Sequence, residues 1–313
     1  MKKIALLSIL SLFLCWGCDS GNRRMIKNAP LISESYTDGT GREVKLPDAV
    51  KKVISIAPNI TEIVFGVGGE SKLVARSQAC NYPPEVGEYP ELTTYPSIDP
   101  EELLALKGDL VIATDEIFGK DDVAEIERLG VPVYLQSYKT FDDIYKNIRE
   151  MGTILDTEEQ ANYLADSLQN IEKAAKKATK DQIRFNAMIL VSTDPMLVIG
   201  GKGYLNDMIE LAGGKNLFGD KEQAYAPTTI EEIVKRNPEY LILPSKDQEI
   251  YVKLLESFPA FQKTTADLNT HVFIVDPDLY YRPGPRVVEG LAQLTRILHS
   301  AVNSEAFFDP QTK

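Results

Sequence analysis

The side chains that most often run covalent chemistry are scarce in this chain. It has two histidines, His271 and His299, and three cysteines, Cys15, Cys18 and Cys80. The histidines are far apart and offer no His-rich zinc or manganese site. In this context they also make a hydrolytic triad a poor reading. Gly200-Gly201-Lys202-Gly203 lacks the spacing of a phosphate-binding P-loop and has no Ser or Thr after its lysine. Gly66-Val67-Gly68 lacks the third glycine of a dinucleotide fingerprint, and no G-x-S-x-G elbow exists. Three cysteines cannot make a disulfide framework, and Cys80 alone reads as a small apolar filler more readily than as a metal ligand. What remains is the chemistry of recognition. Tyr95 and Tyr225 stand at the same offset ahead of two glutamate pairs, Glu101-Glu102 and Glu231-Glu232.

Tyrosine suits the wet mouth of a cleft for a large ligand, because it offers apolar area and one hydroxyl. Glu102 and Glu232 fall at the third helical position after Asp99 and Thr229, the place of a capping-box glutamate. Glu101 and Glu231 sit one place earlier and point outward. Either they favour the helix dipole by ~0.3–1 kcal/mol, or they form two acidic knobs for a basic partner. Near the C-terminus, Asp278-Leu279-Tyr280-Tyr281-Arg282-Pro283-Gly284-Pro285-Arg286 joins a strand to the last helix. Pro285 suits a first helical position. Asp278 and Arg282 are then loop residues near a cleft, and Arg286 reads as a structural ion-pair partner.

The elements that must position these residues alternate between apolar runs and helical patterns. Strands are expected at 53–57, 73–75, 110–113 and 131–136. A second series is expected at 187–192, 196–199, 241–243 and 272–275. Continuous apolar runs between helices predict parallel strands covered on both faces. A small hairpin turning at Asp38-Gly39 precedes them. Between the series, Thr157-Glu158-Glu159-Gln160 predicts a capping box, and no Gly or Pro interrupts 157–183. That predicts one long rigid helix between two halves. The halves also match at Gly68-Gly69 and Gly213-Gly214, glycine stops after similar helices. Between stop and glutamate pair the first half is longer, and the extra loop runs from Arg76 to Pro84. The fold class is therefore α/β, two Rossmann-like lobes bridged by a single long helix. The expected divisions are an N-terminal lobe at 36–155, a bridging helix at 156–183, a C-terminal lobe at 184–303 and a tail at 304–313. A ligand would bind between the lobes, at the carboxyl ends of their strands.

Four stretches, taken in order, resemble the substrate-binding proteins of ABC importers for vitamin B12 and iron complexes. They are Asn81-Tyr82-Pro83-Pro84, the segment from Ile98 to Val111, Ala212-Gly213-Gly214-Lys215-Asn216-Leu217-Phe218 and Arg282-Pro283-Gly284-Pro285-Arg286. The resemblance implies a class III periplasmic binding protein with limited hinge closure, delivering its ligand to a permease and ATPase complex. It implies that Glu101 and Glu231 dock to the permease. It also implies that Tyr95, Tyr225, Asp278 and Arg282 meet the ligand, as their counterparts do in the vitamin B12-binding members. Ala79 and Leu197 stand where those members carry further aromatic residues. The expected ligand is a metal chelate, a corrinoid before an iron complex. Ferric siderophores would call for several cations, here Arg76, Lys202 and Arg282. Haem would want an iron ligand, for which Tyr82, Tyr225 and Tyr280 are candidates. No cofactor, resident metal or catalytic activity is expected, and the chain is expected to act as a monomer. A two-lobed metallochelatase-like enzyme is the alternative from another class; it should lack a lipobox and carry a catalytic His or Glu on the cleft wall. A surface adhesion lipoprotein would not need the matched Tyr and Glu pairs.

Composition and the N-terminus bear on the address. The formal charge is −12 and 43% of residues are hydrophobic, which supplies real cores and argues against nucleic acid as a partner. Lys2-Lys3 precedes a charge-free run from Ile4 to Leu14, too short to span a bilayer but suited to a signal peptide. Leu14-Cys15-Trp16-Gly17-Cys18 then resembles a bacterial lipobox. The expected mature chain begins at lipidated Cys18 after a signal at 1–17, with a flexible tether at 18–35. That places the protein on the periplasmic side of a bacterial membrane, held by a lipid anchor. Mass spectrometry of the membrane fraction is expected to find a diacylglyceryl group on Cys18; an unlipidated N-terminus elsewhere would remove the anchor.

Overall fold

The computed structural model describes residues 35–94 and 97–308. Cys18, the signal peptide, Tyr95 and the last residues of the expected tail lie outside that range. The hairpin forms from β1 (Ser35–Thr37) and β2 (Glu43–Lys45). Its turn is organised by the Asp38 carboxylate, which accepts from the backbone N–H of Thr40 and Arg42.

The N-terminal lobe is a parallel sheet of β3 (Val53–Ser55), β4 (Leu73–Ser77), β5 (Glu91–Leu92), β6 (Leu110–Thr114) and β7 (Val133–Gln136), in the order β5-β4-β3-β6-β7. Helices α1 (Pro58–Gly66), α2 (Pro100–Ala105), α3 (Lys120–Arg128) and α4 (Phe141–Leu155) accompany it. All of β6 and β7 is buried, as a doubly covered sheet requires.

Then comes α5 (Glu158–Thr179). Its start matches the expectation, but Thr157 does not cap it: the hydroxyl is buried without a partner. Thr157 keeps a non-extended backbone, because α4 runs into α5 through Asp156, which takes the left-handed conformation. The helix ends at Thr179 rather than at 183, where the Thr179 hydroxyl turns back to Ala175 and across to Leu211.

The C-terminal lobe holds β8 (Asn186–Thr193), β9 (Met196–Ile199), α6 (Tyr204–Leu211), β10 (Lys215–Asn216), β11 (Tyr225–Pro227), α7 (Ile230–Arg236), β12 (Tyr240–Pro244), α8 (Ile250–Ser257), α9 (Thr265–Leu268), β13 (Val272–Val275) and α10 (Val287–Leu298). Its sheet runs β11-β9-β8-β12-β13, with β10 beside β8. Only β8, β10, β12 and β13 are parallel; β9 is antiparallel to both β8 and β11. The expectation of a parallel second series fails at β9, because Asp194-Pro195 is a tight turn that folds β9 straight back on β8. The final helix begins at Val287, with Arg286 and not Pro285 at its start. Val287, Leu291, Leu294 and Leu298 form its buried stripe. A 3-10 turn at Ser304–Phe308 buries Phe307 against α5 and α10, so these residues belong to the fold and not to a tail.

The outer layers of each lobe have separate apolar clusters. A third cluster crosses from α1 and α4 through Ala161, Ala165, Leu168 and Ala175 of α5 to α6 and α10. The lobes thus share one core along the bridging helix.

The matched glycine stops differ in their surroundings. Both Gly68 and Gly213 have positive φ, +74° and +81°. A Cβ on Gly213 would sit 2.6 Å from His299 Nε2 and 2.8 Å from Thr179 Cβ; on Gly68 it would find only Gln160 Cγ at 4.0 Å. Backbone strain of about 1–2 kcal/mol falls on both alanine variants, and overpacking of about 1–3 kcal/mol on Gly213→Ala alone. Thermal melts are therefore expected to show a clearly larger loss for Gly213→Ala than for Gly68→Ala; equal losses would refute the packing argument.

Candidate functional site

The strands of the two lobes direct their loops into one cleft. From the carboxyl end of β6 come Asp115, Glu116 and Ile117. The segment after β7 supplies Ser137, Tyr138, Lys139 and Thr140, and Thr140 caps α4 by accepting from the N–H of Asp143. Facing them are the glycine-rich turn between β9 and α6, which brings Lys202, Tyr204 and Asp207, and the start of β11, which brings Tyr225. All of these except Ile117 line a cavity of about 580 Å³, within the usual range for small-molecule sites. A second cavity of about 200 Å³ lies between Asn59, Thr114, Glu116 and Ile117 on one side and Asp278, Tyr281 and Arg282 on the other. Glu116 lines both.

The turn after β9 is not a phosphate loop. A Cβ on Gly201 would lie 2.1 Å from the Gly219 carbonyl oxygen. The small residue lets two loops touch and so presents Tyr225 at the cleft. That ring is 39% exposed, enough to meet a ligand. Burial among the cleft walls, helped by the Glu116 charge, pushes its phenol up to about 12. Tyr138 and Tyr204 are buried behind the surface, with their hydroxyls donating to Gln136 Oε1 and to the Tyr280 carbonyl.

The seam between the lobes is polar at its centre. Glu62, on α1, has a side chain only 1% exposed. Its carboxylate accepts from Arg286 Nε at 2.9 Å and from an Arg286 terminal nitrogen at 2.6 Å. Arg282 adds a contact at 3.3 Å, and also donates to Asn81 Oδ1 at 2.7 Å. The other terminal nitrogen of Arg282 pairs with Asp278 at 3.1 Å. The Arg286 guanidinium lies 3.9 Å from the centre of the Tyr82 ring, within cation–π range. Elsewhere, Asp207 of α6 accepts from the N–H of Phe141 at the start of α4. Burial raises that carboxyl despite the hydrogen bonds it receives.

The sequence candidates therefore divide. Tyr225, Asp278 and Arg282 reach the cavities. Tyr82 is half-exposed, but its face is taken by Arg286 and it is absent from the cavity walls. Tyr280 needs correction. It is fully buried in the shared core with its hydroxyl unpaired, and its neighbour Tyr281 takes the place on the wall. The turn at Pro277–Leu279 causes this, since it aims the next side chain inward and the one after it toward the cleft. Glu101 and Glu231 are exposed at matched helix starts, one per lobe, and no ion pair is recorded for either carboxylate among the described residues. Asp99 and Thr229 cap as expected. Glu102 and Glu232 do not complete capping boxes; they hold neighbouring loops, through Thr93 N–H and through Lys221, Thr228 and Arg236. Sequence reasoning missed Asp115, Glu116, Ser137, Lys139, Asp207 and the Glu62 carboxylate. For the first four a signal was present: they directly follow two expected strands.

A model of the periplasmic binding protein family matches residues 53–279. The chain belongs to that family. This periplasmic binding protein is 28% identical over 252 residues to the vitamin B12-binding protein of Vibrio parahaemolyticus, covering 79% of this chain and 89% of that one. It is 26% identical over 303 residues to an uncharacterized ABC transporter substrate-binding lipoprotein of Bacillus subtilis, covering 93% and 95%. The crystal structure of the periplasmic vitamin B12 binding protein of Vibrio cholerae superposes with a TM-score of 0.72 at 25% identity, covering 82% of this chain and all of that one. The periplasmic binding protein is thus an extracytoplasmic substrate-binding component of the ABC-importer class with the two-lobed α/β fold, a binding protein and not an enzyme.

The seam yields a prediction. Removing one partner of a buried ion pair leaves an uncompensated charge, at about 3–5 kcal/mol. Glu62→Ala strands two arginines between the lobes. It is expected to lower the melting temperature markedly, whereas Glu91→Ala, at an exposed partner of Arg76, should change it little. A Glu62→Ala melt within about 1 °C of wild type would show that the seam contributes nothing net.

Proposed function

We propose that this protein is lipid-anchored through Cys18 on the periplasmic side of a bacterial membrane, and captures a corrinoid in the inter-lobe cleft. It then delivers the ligand, as a monomer, to a permease and ATPase complex that it meets through Glu101 and Glu231. The observation that carries the ligand choice is the cleft wall: two tyrosines, Tyr225 and Tyr281, among carboxylates, with few cations left free. Of the three cations that an anionic siderophore would need, Arg76 is spent on the carbonyls of its own loop and on Glu91, Lys202 faces Glu222 at 3.1 Å, and Arg282 is held by Glu62 and Asp278. Haem finds little better. His271 and His299 lie against backbone carbonyls away from the cavities. A large, nearly neutral corrinoid needs neither. Tyr95 is assigned to the opposite wall on its matched offset alone.

One experiment tests both halves. Isothermal titration of the purified mature chain with cyanocobalamin, hemin and a ferric siderophore is expected to favour cyanocobalamin. Tyr225→Ala should weaken it by about 1–3 kcal/mol, the cost of losing an aromatic contact. Glu101→Lys with Glu231→Lys should leave ligand affinity and melting unchanged and abolish uptake, since charge reversal replaces attraction by repulsion. Tighter binding of the siderophore or hemin would reassign the ligand; normal uptake by the double reversal would remove the docking pair.

A further inference from the structure

We infer that Glu116 is a specificity-determining residue, which reads hydrogen-bond donors on the ligand and rejects carboxylate-bearing analogues of the same size. The inference rests on the proposed function for the identity of the ligand, and on geometry for everything else. Glu116 is placed where a selecting group must be. It follows the carboxyl end of β6, a fully buried interior strand of the N-terminal sheet, and lines both cavities. Any ligand long enough to occupy both must pass it. Among the described residues its carboxylate has no hydrogen-bond or ion-pair partner, in contrast to Glu62, Asp278 and Glu232.

The electrostatics around it are one-sided. Asp115 adjoins it, and burial in the cleft together with the Asp115 charge raises the Glu116 carboxyl. Its field also reaches the phenols of Tyr225 and Tyr204 on the opposite lobe. Asp207 adds a third carboxylate to the same cavity. Against these stand Lys139, Lys202, which already faces Glu222, and Arg282 of the smaller cavity, which is held by Glu62 and Asp278. A second anion entering this wall meets repulsion that solvent screens only in part. An amide N–H is welcome, because an ionised carboxylate can only accept hydrogen bonds.

Two further groups point the same way. Ser137, only 8% exposed, lines the larger cavity, and Tyr281 lines the smaller. Both hydroxyls lack partners within the protein. Each can accept from an amide as well as donate to its carbonyl, so the pair suits primary amides. Buried polar atoms left unpaired are costly unless a ligand or water satisfies them. A ligand ringed with carboxamides would meet Glu116 with N–H groups and satisfy these hydroxyls.

The test compares matched ligands that differ in one amide. Wild type and Glu116→Gln are titrated with cyanocobalamin and with its monocarboxylate, in which one peripheral amide is hydrolysed. Wild type is expected to prefer the amide by about tenfold, the scale of one partly screened like-charge contact. Glu116→Gln should shrink that preference to under about threefold, chiefly by gaining the acid. Glu305→Gln, which removes an exposed charge outside both cavities, should leave the preference intact, so a loss in both variants would mean mere net charge and overturn the inference. Should wild type bind no corrinoid, the proposed ligand fails, and the same comparison is made with hemin and its dimethyl ester. Glu116→Gln should then strengthen hemin and leave the ester unchanged. In either series, a preference unchanged by Glu116→Gln overturns the assignment, as does failure of all four probes to bind wild type.

Discussion

The shared core along α5 is the constraint from which the rest of the architecture follows. Ala161, Ala165, Leu168 and Ala175 are buried between helices of both lobes. Small side chains at three of these positions let the helices approach closely, so the seam has little slack. Pulling the lobes apart would expose this apolar surface at about 25 cal/mol per Å². Separation of the lobes is thereby opposed along the length of α5.

Upon that base the Glu62 cluster adds direction. A carboxylate buried in one lobe must stay neutralised by arginines from the other, and an ion pair of this kind tolerates little displacement. Its second arginine also holds Asp278, which lines the smaller cavity. The interaction that ties the lobes therefore reaches the wall of the smaller cavity, since Arg282 lines it too. Asn81 and Tyr82 complete the same assembly from the extra loop of the N-terminal lobe. That loop emerges less as a ligand-binding insertion than as a clasp around the two arginines.

Much of this was legible in the residues. Strand positions, the long helix and the matched helix starts were visible, because apolar periodicity and capping chemistry are local properties. The exposed, half-buried, buried sequence at Glu101-Glu102-Leu103 recurs at Glu231-Glu232-Ile233, as the internal repeat implied. Failures came where a local rule met a non-local demand. Thr157 has the letters of a capping box, yet the tight junction from α4 holds its backbone in another conformation. Tyr280 and Tyr281 are indistinguishable in sequence, and only the turn before them decides which enters the core. Glu62 carries no local signal, since its partners lie more than two hundred positions away. The acidic wall is not a local property either, because Asp115, Glu116 and Asp207 come from two lobes and meet only across the cavity.

Cys80 gives the fold a chemical property of its own. Its thiol is 2% exposed and lies against the hydroxyls of Thr61 and Ser77. With Cys15 removed in the signal peptide and Cys18 blocked by its lipid, as proposed, no accessible sulfhydryl is left. Cross-linking requires a thiolate that can reach its target. The protein can thus reside in an oxidising compartment without dimerising through sulfur. Among the described residues no disulfide joins the lobes, which are secured by core packing and a buried acid where many secreted proteins rely on covalent bridges.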